Sequence, residues 1–88
     1  MILHYTTQFK KDYKRVKKQK KDLAKLRVVV ETLAEKQALP QNYKDHQLTG
    51  NWKGHRDCHI EPDWILIYKI TGNNLTLERT GSHSELFK

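Results

Sequence analysis

The chain has 88 residues, 17 lysines and arginines against 10 acids, a net charge of +7, a single cysteine and 36% apolar residues. This length holds one domain with one modest core, which excludes a cofactor-binding domain beside a separate substrate domain, and the lone Cys58 excludes an intramolecular disulfide. No apolar run approaches the ~18 residues of a membrane span, and MILHYTTQF lacks a signal peptide's charged and long apolar regions, so the expectation is one soluble cytoplasmic domain over residues 1–88 with no membrane contact.

Ile2 to Tyr5 is short and rich in β-formers, and Thr6 or Thr7 can cap a following helix. From Phe9 the apolar residues fall at Phe9, Tyr13 and Val16, one stripe on a very basic helix. Asp22 is a plausible cap for a second helix carrying Leu23, Leu26, Val30 and Leu33, with a tight turn near Lys20 to Asp22; one bent helix is the alternative. Leu39-Pro40 closes the helical region, because a proline ring disfavours helical geometry in the residue before it. Gln41 to Lys53 reads as a loop. His55 to Glu61, Trp64 to Ile70 and Leu75 to Thr80 read as strands, separated by turns at Pro62-Asp63 and Gly72-Asn73-Asn74. The expected architecture is α+β: two N-terminal helices packed on one face of a small antiparallel β-sheet that the first strand joins through the helical crossover. Phe87 is oddly apolar for a tail and either anchors a terminal helical turn or offers a base a stacking surface.

Chemistry-bearing side chains are unevenly spread. Eight of the seventeen basic side chains lie within Lys10 to Lys21, a density suited to a polyanion such as nucleic acid or a ribonucleoprotein, although a solvated helix face is the plain alternative. Residues 44–64 hold three of the five histidines, four carboxylates and both tryptophans, and Arg79 and His83 follow. A shared zinc at His55 and His59 is disfavoured, since four residues of strand separate their Cα atoms by about 13 Å. No metal or cofactor is therefore expected.

Metal-free cleavage of RNA by internal transfer needs a base for the 2′-hydroxyl, an acid for the leaving 5′-oxygen and a cation for the charge growing on phosphorus. His46, His59, Asp63, Arg79 and His83 can supply these parts. Strand alternation sends Cys58 and Ile60 to the core and Asp57, His59 and Glu61 to the open face. The plain alternatives are a turn former at Asp63, a cross-strand ion pair between Arg79 and an acid such as Glu61, and core packing at Trp64. The strand register around Gly72 is open, and with it the face that Arg79 occupies.

The run YKDHQLTGNWKGHRDCHIEPDWILIYKI, followed by LERTGSHSELF, resembles the YafQ branch of the RelE/ParE superfamily of bacterial toxins, and the similarity spans the whole chain. The resemblance implies two N-terminal helices against a small antiparallel sheet. It also implies a metal-independent ribonuclease that enters the A site of the 70S ribosome and cuts translated mRNA, held in check by a cognate antitoxin and monomeric when free. Carried over residue by residue, the functional positions are His46, His59, Asp63, Trp64, Arg79, His83 and Phe87. The implied roles are general acid for His83, base or proton relay for Asp63 or His59, transition-state cation for Arg79 and an assisting role for His46. Trp64 and Phe87 would shape the base pocket or support the catalytic side chains, and Lys10, Lys11, Lys14 and Lys18 would hold ribosomal RNA. A ParE-like gyrase inhibitor has no need of this acid–base set, and a non-catalytic ribosome-binding module leaves the histidines without a role.

Overall fold

The computed structural model describes residues 1–87. Its elements run β1 (Ile2–Tyr5), α1 (Thr7–Lys18), α2 (Leu23–Ala34), β2 (His46–Gln47), β3 (Arg56–Glu61), β4 (Trp64–Thr71), β5 (Asn74–Gly81) and α3 (His83–Leu86). Two short 3-10 turns, Gln41–Tyr43 and Gly50–Trp52, flank β2.

The helices start where side-chain oxygens can satisfy free backbone donors. Thr6 accepts from the Phe9 N–H at 2.9 Å, and Asp22 accepts from the Ala24 N–H at 3.0 Å. Between them the chain reverses through Lys20, at φ 60°, with Lys21 N–H donating to the Val16 carbonyl at 3.2 Å. The helical region is therefore two helices and not one bent rod. The second ends at Ala34, ahead of Leu39-Pro40, once Lys36 adopts a left-handed φ of 61°.

The sheet order is β1-β5-β4-β3-β2. Strands β2 to β5 form the antiparallel meander, and β1 joins it parallel to β5, which makes the sheet mixed. Both helices pack on one face. Phe9, Val16, Leu26, Val29 and Leu33 meet Cys58, Ile60, Trp64, Leu66, Tyr68, Leu75 and Leu77 in the main core. Each such side chain contributes about 1.5–3 kcal/mol when buried, enough to define this face as the structural one. Tyr13, expected on the buried stripe of α1, is exposed; the stripe passes instead through Phe9, Asp12 and Val16, with Asp12 at 0% exposure.

The opposite face is covered only in part, where Ile65, Ile67 and Leu86 are buried with help from Leu48 and Trp52. On this face the candidate functional side chains gather. A β-bulge decides one of them. Tyr68 pairs with Leu77, but Ile67 pairs with Arg79, so Glu78 is the extra residue. Strict alternation after Leu75 and Leu77 would point Arg79 into the main core, and the bulge turns it onto the open face.

Candidate active site

Directly paired residues on neighbouring strands share a face, so the register lays out the site. One row crosses the sheet as His46, Asp57, Ile67 and Arg79, and the next as His59, Ile65 and Gly81. His83 follows at the start of α3, two residues beyond Gly81.

His46 comes from β2, which lies inside the segment expected to be a loop. Asp45 secures that short strand by accepting hydrogen bonds from the Tyr68 hydroxyl at 2.6 Å and from Arg56 Nε at 3.2 Å. The Nδ1 of His46 lies 2.7 Å from the Lys44 carbonyl and 3.0 Å from Asp57 Oδ1. A carbonyl can only accept, so Nδ1 carries the proton, and in the neutral ring Nε2 is left with a lone pair. Asp57 was expected on the open face and is there, but buried beneath His46 at 3% exposure. Burial pushes its carboxyl above the ordinary value, against the opposing pull of His46, His59 and His83.

His83 is held by Asp63. One carboxylate oxygen, Oδ1, accepts from the His83 backbone N–H at 3.0 Å and from its ring Nδ1 at 2.7 Å. These bonds, the backbone one first, hold the Asp63 carboxyl below its ordinary value. Asp63 therefore stands as an ionised partner of His83, with both of its hydrogen bonds among the described residues directed to that histidine. The ring of His59 meets that of His83 edge-on at 5.3 Å between centroids, and the ring of Phe87, 38% exposed, lies 6.3 Å from that of His83 between centroids. A capping box fixes α3 itself: Ser82 accepts from the Glu85 N–H, and Glu85 Oε1 accepts from the Ser82 N–H at 2.8 Å.

Arg79 does not pair with Glu61, which binds Lys25 at 2.8 Å instead. Its partner is Asp12 of α1. Arg79 Nε donates to Asp12 Oδ2 at 2.7 Å and Nη2 donates to Oδ1 at 3.3 Å. By strand spacing its Cα stands roughly 10 Å from that of Asp57, so Arg79 shares the face but not the immediate contacts of the histidines. Asp12 also accepts from the Thr80 N–H, Gln8 and Arg15. Burial alone would raise its pKa, but the bonds from Arg79, Thr80 and Gln8 outweigh burial and the carboxyl is held below its ordinary value. The inward turn of Asp12 and Arg15 escaped the sequence reading, although Asp12 is spaced three from Phe9 and four from Val16, the register of the buried stripe.

Trp64 follows the core-packing alternative. It is fully buried in the main core, on the helix side of the sheet, where its Nε1–H donates to Thr80 Oγ1 at 2.9 Å and Thr80 in turn donates to the Ile65 carbonyl. It supports β5 and offers no surface to a base. Cys58 is a buried hydrophobe as expected, and burial pushes its thiol well above the ordinary value. Lys10, Lys11, Lys14 and Lys18 are exposed along α1, whereas Arg15, counted in the same cluster, binds Asp12, Glu85 and the Thr80 carbonyl. Among the described residues, no three His, Cys, Asp or Glu side chains are arranged to hold a metal ion, and no helix is long and apolar enough to cross a membrane.

Comparisons with known proteins converge. The family model for the YafQ bacterial toxin of type II toxin–antitoxin systems matches residues 1–88. The mRNA interferase toxin YafQ of Escherichia coli K12 is 50% identical over 86 residues, covering 97% of this chain and 94% of that one. The crystal structure of YafQ from E. coli BL21(DE3) superposes with a TM-score of 0.95 at 48% identity, covering 98% of this chain and 97% of that one. A YafQ chain in the E. coli DinJ–YafQ toxin–antitoxin complex superposes at 0.91 with 49% identity, covering 98% and 96%.

Proposed function

The chain belongs to the YafQ family of bacterial type II toxin–antitoxin toxins, and from that premise we propose that it is a ribosome-dependent endoribonuclease that cuts mRNA in the A site and so arrests translation. The observation that carries the chemistry is the His83–Asp63 pair, 2.7 Å from ring nitrogen to carboxylate, with the His59 ring against it.

The reaction transfers the phosphoryl group internally. A base removes the 2′-hydroxyl proton, the 2′-oxygen bonds to phosphorus, and the 5′-oxygen departs with a proton from the acid, leaving a 2′,3′-cyclic phosphate and a 5′-hydroxyl. His46, whose Nδ1 is committed as a donor, presents Nε2 as the base, and His59 is the second candidate on the adjoining row. His83 is the acid. Asp63 accepts from Nδ1, which turns Nε2 outward and balances the charge of the protonated ring. Arg79 keeps N–H donors beyond the two given to Asp12 and meets the charge growing on the phosphoryl oxygens. Phe87 stacks on a base beside the scissile bond. This acid–base set moves both protons without recruiting a metal ion.

The exposed lysines of α1, Lys10, Lys11, Lys14 and Lys18, hold the RNA of the 70S ribosome, and the enzyme works in the cytoplasm where translation occurs. As with its E. coli relative bound to DinJ, a cognate antitoxin would form the inhibitory complex, the free toxin being a monomer.

The test is cleavage of mRNA on programmed 70S ribosomes by EDTA-treated protein beside His83→Ala, with the cut position and end groups mapped. A cut in the A-site codon that leaves a cyclic phosphate and is lost in the variant is expected. Intact mRNA despite firm ribosome binding, or undiminished cutting by His83→Ala, would overturn the reading.

A further inference from the structure

The proposed reaction uses Arg79 but assigns nothing to Asp12, a carboxylate at 0% exposure in the middle of the most basic segment of the chain. A buried carboxylate is costly unless fully paired, and this one accepts five hydrogen bonds. Those bonds are divided in a telling way. Oδ2 takes Arg79 Nε at 2.7 Å and the backbone N–H of the next residue, Thr80, at 3.2 Å. Oδ1 takes Arg79 Nη2 at 3.3 Å, with Arg15 Nη1 at 3.0 Å and Gln8 Nε2 at 3.3 Å, which orient the carboxylate itself.

The Arg79 side chain is thus gripped at both ends. The Thr80 bond sets the backbone where the bulge turns Arg79 onto the open face, and the side-on pair sets the plane of the guanidinium. Of the five guanidinium N–H groups, two are committed and three have no partner among the described residues. A long flexible cation is converted into a fixed fork. We infer that Asp12 is a positioning residue for Arg79, holding the guanidinium in the orientation in which its uncommitted N–H groups meet the phosphoryl oxygens.

This inference rests on the reading of Arg79 as the cation of the cleavage reaction. The competing explanation is an ion pair that only ties α1 to β5. The two differ in where the loss appears. A misaligned fork lowers the rate of the chemical step, by as much as about a hundredfold for an error near 1 Å, and leaves ribosome affinity alone. A mere tie lowers stability and leaves the chemical step of the folded protein at its wild-type rate.

The experiment is a double-mutant cycle of Asp12→Asn and Arg79→Gln on single-turnover cleavage of ribosome-bound mRNA, with thermal unfolding and ribosome affinity measured for each protein. Asparagine retains a carbonyl oxygen to accept from Thr80 but removes the charge. Asp12→Asn is expected to slow cleavage at least about tenfold with affinity unchanged, and to slow it less than about twofold further once Arg79 is glutamine. An equal loss in both backgrounds would overturn the inference while leaving the ribonuclease reading intact. No cleavage by the wild-type protein, or no loss in Arg79→Gln, would remove its foundation instead. Arg79→Lys covers the case in which Asp12→Asn does not fold, since lysine keeps the charge but cannot make the side-on pair. A rate as low as that of Arg79→Gln is expected, and a wild-type rate in Arg79→Lys would overturn the inference.

Discussion

The pairing of Asp63 with His83 makes a prediction that separates proton donation from every other role of the histidine. Asp63 is exposed, with 70% of its side-chain surface open, and its only hydrogen bonds among the described residues are the two that Oδ1 accepts from His83. Asp63→Asn keeps an oxygen at that position, so the start of α3 and the ring's placement persist, but the charge facing the imidazole is gone. A charge-assisted hydrogen bond is roughly twice as strong as a neutral one, and losing that difference at the protonated ring should slow the step that needs the acid by about tenfold. His83→Ala removes the proposed acid itself and should cost on the order of 10² to 10⁴. Because Asp63 acts through His83 alone, Asp63→Asn should add less than about twofold to His83→Ala.

The assay is single-turnover cleavage on the ribosome with two substrates, one natural and one carrying sulfur in place of the bridging 5′-oxygen at the scissile position. A thiolate leaves without a proton, since thiols ionise near 8.5. Both variants should therefore recover most of the wild-type rate on the sulfur substrate. Two results would refute the reasoning: variants that remain equally slow on the sulfur substrate, which would move His83 to another step, and an Asp63→Asn effect that multiplies with His83→Ala, which would give Asp63 an action of its own.

Three further outcomes follow from the same geometry. Replacing Lys10, Lys11, Lys14 and Lys18 with glutamine should weaken ribosome association and flatten its dependence on salt, by up to about one unit of log Kd against log salt for each phosphate no longer neutralised; a slope equal to wild type would mark these lysines as a solvated face. Thr80→Val leaves the Trp64 indole N–H and the Ile65 carbonyl without their shared partner inside the sheet, and urea unfolding should register a loss of about 2–4 kcal/mol, with a change below about 0.5 kcal/mol excluding that account. Asp57 has a carboxyl raised above its ordinary value, chiefly by burial, so its contribution to stability is greatest in acid and is lost as pH rises through the folded-state pKa. Asp57→Asn should therefore gain stability relative to wild type at pH 7, the difference vanishing near pH 3, while cleavage falls; a variant less stable than wild type at pH 7 would show that the histidines more than compensate the buried charge.

Much of this architecture could be read from local pattern. Spacing of seven, two helical turns, from Phe9 to Val16 and from Leu26 to Leu33 reflects contact with a flat sheet, and the capping oxygens of Thr6 and Asp22 mark where each helix must begin. Turn residues announce both hairpins, and alternation in β3 assigns Cys58 inward and His59 outward correctly. What escaped was set by partners distant in sequence. Two residues of strand at His46 and Gln47 carry no pattern of their own, and β2 exists because β3 offers it an edge and because Tyr68 and Arg56 bind Asp45. The inward turn of Asp12 has meaning only beside Arg79, 67 positions away.

The bulge at Glu78 unites these cases. Alternation in β5 predicts Arg79 on the same side as Leu75 and Leu77, where a guanidinium would lie among apolar side chains at a cost of several kcal/mol. One inserted residue reverses the strand's facing, so Leu77 and Thr80 both point to the main core and Arg79 and Gly81 to the open face. The reversal makes room for Asp12 against the Thr80 N–H, and for Arg15 to reach the Thr80 carbonyl and Glu85 beside Gly81, where an added Cβ would lie 2.5 Å from Arg15 Nη2. A single irregularity in β5 thus brings α1, the arginine and the His83-bearing α3 into one hydrogen-bonded unit. The helix that presents its lysines outward also fixes the proposed active face from within.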